Sequence, residues 1–593
     1  MRNELKRLQA AMRRDGTDIW LIPCRDAHGS EYIGDRDKCT EDLSGFTGDS
    51  CVMAVFKEEA YLWTDGRYFE QAEKELSGSG VGLMKMGEKG VPTLPDFLES
   101  RLERGQTLAF YAPLFSVTAG RSYRKICEKK GASVQTDLDP AELFWENRPE
   151  RSRKPVWSVP IARAGKTAAE KLEELRERMQ KAGATVFFTG ALDETAWITN
   201  LRGSDIACNP VFLSFFLLTE TRAVLFVQEE ALSEKIGHLL ESQGIETRPY
   251  DSLEQDLSEL SGETVLLDPA STSYAVWRLL KERNILQEDV SPAALLKCVK
   301  NSAEQRGMAA CHKRDGLYLT KFLYWLKKAV RSGKQLTEGE AAAQLDLLRS
   351  RDPRFVDLSF PTISAYGPNA AMAHYQAEAM GGAVLQKRGL YLVDSGAHYQ
   401  DGTTDVTRTI ALGPTTLEEK RHYTLTVIGM LRLMNAVFPE GVRGVNLDTF
   451  ARAAMWQEGV DFNHGTGHGV GCLNVVHEGP VAVRIRPGAD PKRDLPFVPG
   501  MVTSDEPGVY VEGKHGVRTE NLLLCVPFRR QKGFYAFRTL TLAPLDPAPL
   551  LVSMMTEQDR RQYNAYQRLV YRSLASSLTE PERKWLAHET REL

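Results

Sequence analysis

The sequence predicts two α/β modules followed by a larger α+β module, in which long helices precede a series of strands. Three observations carry this. Short apolar runs alternate with charged, helix-like stretches from residue 1 to about 150. The same alternation resumes after a charged, proline-containing segment. Near Lys300 it gives way to long helical stretches and then to strands. Alternation of short strands with helices is the pattern of an α/β layer structure. At 593 residues the chain exceeds what one hydrophobic core supports, and the expected division is 1–155, 156–298 and 299–593.

In the first module Met1 to Arg14 and Phe69 to Leu76 are expected helices. Asp18 to Pro23, Cys51 to Phe56 and Ala60 to Trp63 are expected buried strands. Thr64 to Tyr68 (TDGRY) is turn chemistry after a strand. Asn147 to Pro155 (NRPERSRKP) has no periodicity and reads as a linker. The second module places a helix at Lys166 to Ala182, strands at Thr185 to Thr189 and Ala223 to Val227, and a helix at Leu232 to Gln243. Ala164 to Thr167 (AGKT) ends like a phosphate-binding loop, but Pro160 stands where that motif needs glycine, so it is taken as a helix start. The two modules share an order of elements and no repeat that aligns by eye. In the third, Asn301 with Glu304 fits a helix cap. Helices follow at Ala303 to Val330 and Glu338 to Arg351, and the tail after Thr556 is helical.

Composition excludes several classes. A net charge of -4 gives no general case for nucleic-acid binding or for attraction to anionic membranes. The longest clearly apolar run, Val211 to Leu218, is under half of the ~20 residues that span a bilayer. Nine scattered cysteines, with no C-x-x-C pair, fit free thiols in a reducing compartment, so a cytoplasmic location is expected.

The chemistry concentrates in the third module. His464 to Gly471 (HGTGHGVG) sets two histidines four apart among glycines. Each glycine costs about 1 kcal/mol in a helix, so this is expected to be a strand with His464, Thr466, His468 and Val470 on one face. Its glycines would admit close backbone or ligand approach. Gly389 to Asp394 is a strand ending in an acid, Gly396 to Gly402 supplies turn residues, and Thr403 to Ile410 is the expected return strand carrying Asp405. Met501 to Asp505 leads to Glu506, and Gly516 to Leu523 returns with Glu520. Two facing pairs of carboxylates would repel and protonate unless cations lie between them. Two divalent ions balance four carboxylates, and oxygen-rich ligation favours Mn2+, with Co2+, Fe2+ or Zn2+ also compatible. Asp401, Asp505 and Glu512 are expected to be ordinary solvated or turn acids, and His422 and Cys472 structural residues.

D-S-G with a second Asp eleven residues on, H-G-T-G-H-G-V-G, H-E-G-P, E-P-G and R-T-E-N together resemble the pita-bread metallopeptidases. Within that fold the chain is most similar to the long, three-domain cytosolic Xaa-Pro aminopeptidases. Leu43 to Gly48, Trp63 to Phe69 and Asn200 to Asp205 resemble that family's two N-terminal creatinase/RNase H-like domains, and Pro361 to Tyr375 its segment with the first active-site histidine. The resemblance implies that Asp394, Asp405, His468, Glu506 and Glu520 ligate two metal ions, with Asp405 and Glu520 bridging. Hydrolysis of the N-terminal Xaa-Pro bond would use a hydroxide between the ions, with Glu506 taking its proton. His477 and His374 are implied at the reacting end. His374, His464, His477, Tyr510 and Arg518 are implied to bind substrate or support a ligand. Peptides with proline second, and a second copy of the chain in a homodimer, are the implied partners. A prolidase confined to Xaa-Pro dipeptides and a non-catalytic peptide-binding member are the alternatives.

Overall fold

The computed structural model describes residues 2–488 and 490–593. It divides into two compact units, Met1–Ser158 with Lys166–Ala207 and Val211–Ala293, and Val159–Gly165 with Cys208–Pro210 and Ala294–Leu593.

Among the described residues the first unit holds two six-stranded sheets with one plan. The first runs, edge to edge, Gly82–Lys85, Ala60–Thr64, Cys51–Phe56, Ile19–Pro23, Thr107–Phe110 and Ser133–Gln135. The second runs Glu246–Pro249, Ala223–Val227, Ser214–Thr219, Val186–Thr189, Thr264–Leu267 and Ile285–Glu288. In both, successive neighbours pair parallel, antiparallel, antiparallel, parallel and parallel. The repeat that the residues do not display is therefore present in the topology. Strands Ile19–Pro23 and Ala223–Val227 are buried throughout because both sheet faces are covered, which is why they are continuous apolar runs. The exposed edge strand Glu246–Pro249 carries Glu246 and Arg248, charges that discourage further pairing. Asn147 to Pro155 contains no helix or strand, and the AGKT segment leads into helix Ala168–Ala182 through a Thr167–Glu170 capping box.

In the second unit Asn301 and Glu304 form the anticipated capping box of helix Ser302–Ser332. Helices Glu338–Arg349, Leu417–Met434, Glu557–Leu574 and Glu580–Glu589 begin with the same device. Each box satisfies backbone N–H groups that a helix start otherwise leaves orphaned. Around them, among the described residues, three sheets of three or four strands and two two-stranded ones form, and two of the larger ones carry the acids. Ile363–Tyr366, Leu390–Ser395 and Val406–Ala411 make one. Val437–Pro439, Phe534–Thr539, Asn521–Pro527 and Val502–Asp505 make the other.

Three expected strands are shorter than anticipated. Thr403 to Ile410 is broken: Ala397–Tyr399 and Gly402–Thr403 form a small hairpin on Phe355–Leu358, and pairing resumes at Val406. Gly516 to Leu523 divides into His515–Arg518, which pairs with Gly508–Val511, and Asn521–Pro527, which pairs with Val502–Asp505. In His464 to Gly471 only Gly467–His468 is strand, against Ala482–Val483, with a bridge from Gly469 to Thr503. In each case a competing hydrogen-bond partner interrupts the ladder near a ligand-type residue.

Arg408 locks the two hairpins together. It is 1% exposed and spends its N–H donors on the carbonyls of Thr407, Glu520, Ala543 and Pro544, on Asn521 Oδ1 and on the Tyr566 hydroxyl. Arg408→Met strips this set of buried acceptors of its shared cationic donor and is expected to destabilise the protein by about 3 kcal/mol or more, read as a lower urea midpoint. An unchanged midpoint contradicts this role.

Candidate metal centre

The first hairpin sets the first two acids. Asp394 pairs with Thr407, and Asp405 lies two residues before Thr407, on the face that Asp394 shares. The second sets the other two. Asp505 pairs with Asn521, so the next positions outward, Glu506 and Glu520, oppose one another. Both then leave their ladder: Glu506 N donates to Thr466 O at 2.8 Å and Glu520 N to Thr407 O at 3.1 Å. These two bonds draw the hairpins and the histidine stretch to one place.

His468 stands between them. Its Nε2 is 3.5 Å from Asp405 Oδ2 and 3.3 Å from Glu506 Oε1, while Nδ1 is 2.9 Å from Gly469 O. Nδ1–H donates to this carbonyl, which leaves Nε2 aimed at the acids as a metal-ligating imidazole requires. Ligand atoms of Asp405, His468 and Glu520 all lie within 4.8 Å of one another. Glycine makes this packing possible: a Cβ on Gly467 would sit 2.0 Å from Ser504 O, and one on Gly469 2.1 Å from Glu478 O. The close backbone approach expected of these glycines is what the fold uses.

Neighbours hold the ligand groups in place. Ser504 Oγ accepts from His468 N at 2.9 Å and donates to Glu506 Oε1 at 3.0 Å. Thr407 Oγ1 donates to Glu520 Oε2 at 2.9 Å. Arg518 grips Asp394 Oδ2 through Nε at 3.0 Å and Nη2 at 2.7 Å. Its Nη1 donates to the Tyr510 hydroxyl at 2.7 Å, and that hydroxyl lies 2.8 Å from His464 Nε2. Burial pushes His464 down to about 4, so the ring is neutral and accepts from Tyr510. His477 packs edge-on against His468, ring centres 4.4 Å apart. Arg518 Nη2 also donates to Ala373 O at 3.1 Å, which brings the residue before His374 to the site. Ser504 and Thr407 escaped the sequence reading, although each lies two residues from an acid, the spacing that shares a strand face.

The electrostatics call for cations. Burial, then the Asp405 charge, raises Glu520 well above the carboxylate range. Asp394 is raised to about 6 by burial, against the opposing Arg518 charge. Burial would lower His468, but its bonds to Asp405 and Glu506 hold it well above its ordinary value. Burial would likewise raise Glu506, and His468 overrides it, leaving about 2. Among the described residues Asp394 Oδ1 and Glu520 Oε1 are buried without a hydrogen-bond partner. Orphaned carboxylate oxygens in a cluster of buried acids around one imidazole, a group that protonates when no cation neutralises it, fit a divalent metal centre. Metal binding is therefore expected to release protons and to strengthen as pH rises, because the raised groups must first deprotonate. Calorimetry in two buffers of different ionisation enthalpy checks this; buffer-independent heats contradict it.

The residues set aside divide. Asp401 bonds Arg314 and Arg354, away from the cluster. His422 bonds His515 at 2.9 Å. Asp505, expected to be a solvated or turn acid, is instead fully buried and raised well above its usual range by burial and by Glu506. Strand alternation turns it inward on the opposite face from Glu506.

Comparison with known proteins places the chain in a family. Residues 4–140 and 147–304 match creatinase/prolidase N-terminal domains. Residues 306–527 match metallopeptidase family M24, and 533–593 match the C-terminal region of peptidase M24. Probable Xaa-Pro aminopeptidase P of Paracoccidioides brasiliensis is 37% identical over 99% of this chain and 98% of its own. That of Ajellomyces dermatitidis is 38% identical with the same coverage. The crystal structure of X-prolyl aminopeptidase from Caenorhabditis elegans, described as a cytosolic enzyme with a di-nuclear active site, superposes with a TM-score of 0.95 at 34% identity, covering 100% of this chain and 99% of that one. Full-length identity, with the matched domains in sequence order, leaves one conclusion: the chain belongs to the Xaa-Pro aminopeptidase P family of the M24 metallopeptidases.

Proposed function

We propose that this protein is a metal-dependent aminopeptidase that removes the first residue from peptides with proline in second position. The observation that carries the reading is the convergence of Asp405, His468, Glu506 and Glu520, with orphaned oxygens on Asp394 and Glu520. Asp394, Asp405, His468, Glu506 and Glu520 would hold two divalent cations, Mn2+ being the ion best matched to the carboxylate-rich set. Bound there, the cations supply Lewis acidity that polarises the scissile carbonyl and acidifies the attacking water.

The chain's own residues do the rest. Glu506, oriented by Ser504 Oγ, accepts the proton of the attacking water at its carboxylate. His477, against the His468 ring, donates a hydrogen bond to the oxygen on which negative charge develops. Neutral His464, held by Tyr510, and His374 line the pocket for proline, and Arg518 fixes Asp394. The division at 1–155, 156–298 and 299–593, the cytosolic location and the homodimer belong to the same reading. The cytosolic description of the Caenorhabditis elegans enzyme supports the second of these.

The test combines metal analysis with assays on three substrates: a tripeptide with proline second, the same peptide with alanine second, and an Xaa-Pro dipeptide. Cleavage of the first, with bound metal and little action on the second, is expected. Turnover of the dipeptide alone indicates a prolidase, and no hydrolysis with added Mn2+ indicates a binding protein.

A further inference from the structure

Outside the metal centre, Glu338 gathers more of one loop than any ordinary helix-start residue needs. It is the first residue of helix Glu338–Arg349, and it is 0% exposed. Its Oε1 accepts from Tyr366 N at 2.6 Å and Asn369 Nδ2 at 3.1 Å. Its Oε2 accepts from Tyr375 Oη at 2.7 Å, Ala383 N at 2.7 Å and Asn369 Nδ2 at 3.0 Å. Every one of these donors lies between residues 366 and 383, so one carboxylate holds the loop at both ends and in its middle. The backbone reinforces the seat: Glu338 N donates to Ala383 O at 3.1 Å and Gly339 N to Gly381 O at 2.9 Å. Gly339 is required for that approach, because a Cβ there would lie 2.4 Å from Glu378 O.

The loop carries His374. Just before it, Ala373 O accepts from Arg518, which also grips Asp394. Just after it, Tyr375 is bound by Glu338. His374 is thus bracketed by one tether to the metal centre and one to a carboxylate that touches no ligand group. Thr337 Oγ1, just before Glu338, adds a bond to Met380 O at 3.0 Å, while the side chains of Glu378 and Met380 are exposed. A pocket residue on a partly exposed loop depends on such anchors to keep its place.

We propose that Glu338 is a positioning residue for substrate binding: it sets the place of His374 by clamping the 367–383 loop, without contacting substrate or metal. The proposal rests on the aminopeptidase reading for its kinetic consequence and on the loop geometry for its physical one. Gln at 338 presents an amide N–H to backbone donors and leaves part of the clamp unmade. Tyr375→Phe removes the bond that Tyr375 Oη donates to Glu338 and the one it accepts from Asn369 Nδ2, and leaves the carboxylate itself in place.

The test uses the full-length metal-loaded protein with Glu338→Gln and, should that variant fold poorly, Tyr375→Phe. A charge-assisted hydrogen bond is worth about tenfold or more in an equilibrium constant. Each variant is therefore expected to raise KM for an Xaa-Pro tripeptide about tenfold, with a smaller fall in kcat and wild-type metal content. Endoproteinase Glu-C, followed by mass spectrometry, is expected to cut after Glu378 about tenfold faster than in wild type. An unchanged KM in both variants overturns the proposal, as does metal loss in step with lost activity. Should wild type not cleave Xaa-Pro peptides at all, the functional reading fails, and the rate of cutting at Glu378 still decides whether Glu338 holds the loop.

Discussion

Asp405→Asn is expected to abolish Xaa-Pro hydrolysis and bound metal while leaving the folded chain intact. Asp405 lies 3.5 Å from His468 Nε2 and within the group it forms with His468 and Glu520, so its loss takes a carboxylate from the centre of the cluster. Asparagine keeps its shape and removes its charge. Loss of a residue that only supports a ligand costs about 10- to 100-fold in metal affinity or activity, and removal of a ligand is expected to exceed that. The fold should survive, because the Asp405 charge is one of the forces that disfavours ionisation of buried Glu520. Without metal the variant carries less repulsion than the parent. Metal content, tripeptide turnover and a urea midpoint taken after chelation check the three parts. Near-normal turnover rules out a bridging role for Asp405.

His477→Ala separates catalysis from metal binding. The ring touches the His468 ring edge-on, and it is outside the trio whose ligand atoms converge. Its expected part is to stabilise charge on the reacting carbonyl oxygen. Removing one such donor costs about 10²–10³ in kcat. The expected result is that loss of turnover with metal content at the wild-type level and KM little changed. Metal lost in proportion to activity would make His477 a ligand instead.

Much of this was legible beforehand because the signals are local. Asn301 with Glu304 announces a helix start through contacts only three residues long. Ile19 to Pro23 is an uninterrupted apolar run because it is buried on both faces. The acids at strand ends could be paired by hairpin reasoning, and the register bears out both pairings: Asp394 with the strand that follows Asp405, and Glu506 opposite Glu520. What failed was strand length. Thr404 and Asp405, and likewise Thr519 and Glu520, look as β-prone as their neighbours. They lie outside the ladders because bonds such as Glu520 N to Thr407 O compete, and no local pattern encodes a partner on another hairpin. Asp505 was misjudged for a related reason, since alternation alone does not say whether the second face of a strand is also covered.

The sequence by itself determined which residues could do the chemistry, and in what order they come: two acids, the glycine-spaced histidines, two more acids. Residue types at short spacings are enough for that, because ligand choice and hairpin facing are local properties. The tertiary structure alone decided what holds them. Arg408 reaches Glu520 O across 112 residues of chain, Arg518 reaches Asp394 across 124, and Glu338 clamps the loop of His374 from the start of a separate helix. The identical plan of the two N-terminal sheets belongs to the same category. Buried polar groups find their partners in space, and the spacing of residues along a chain carries no record of those encounters.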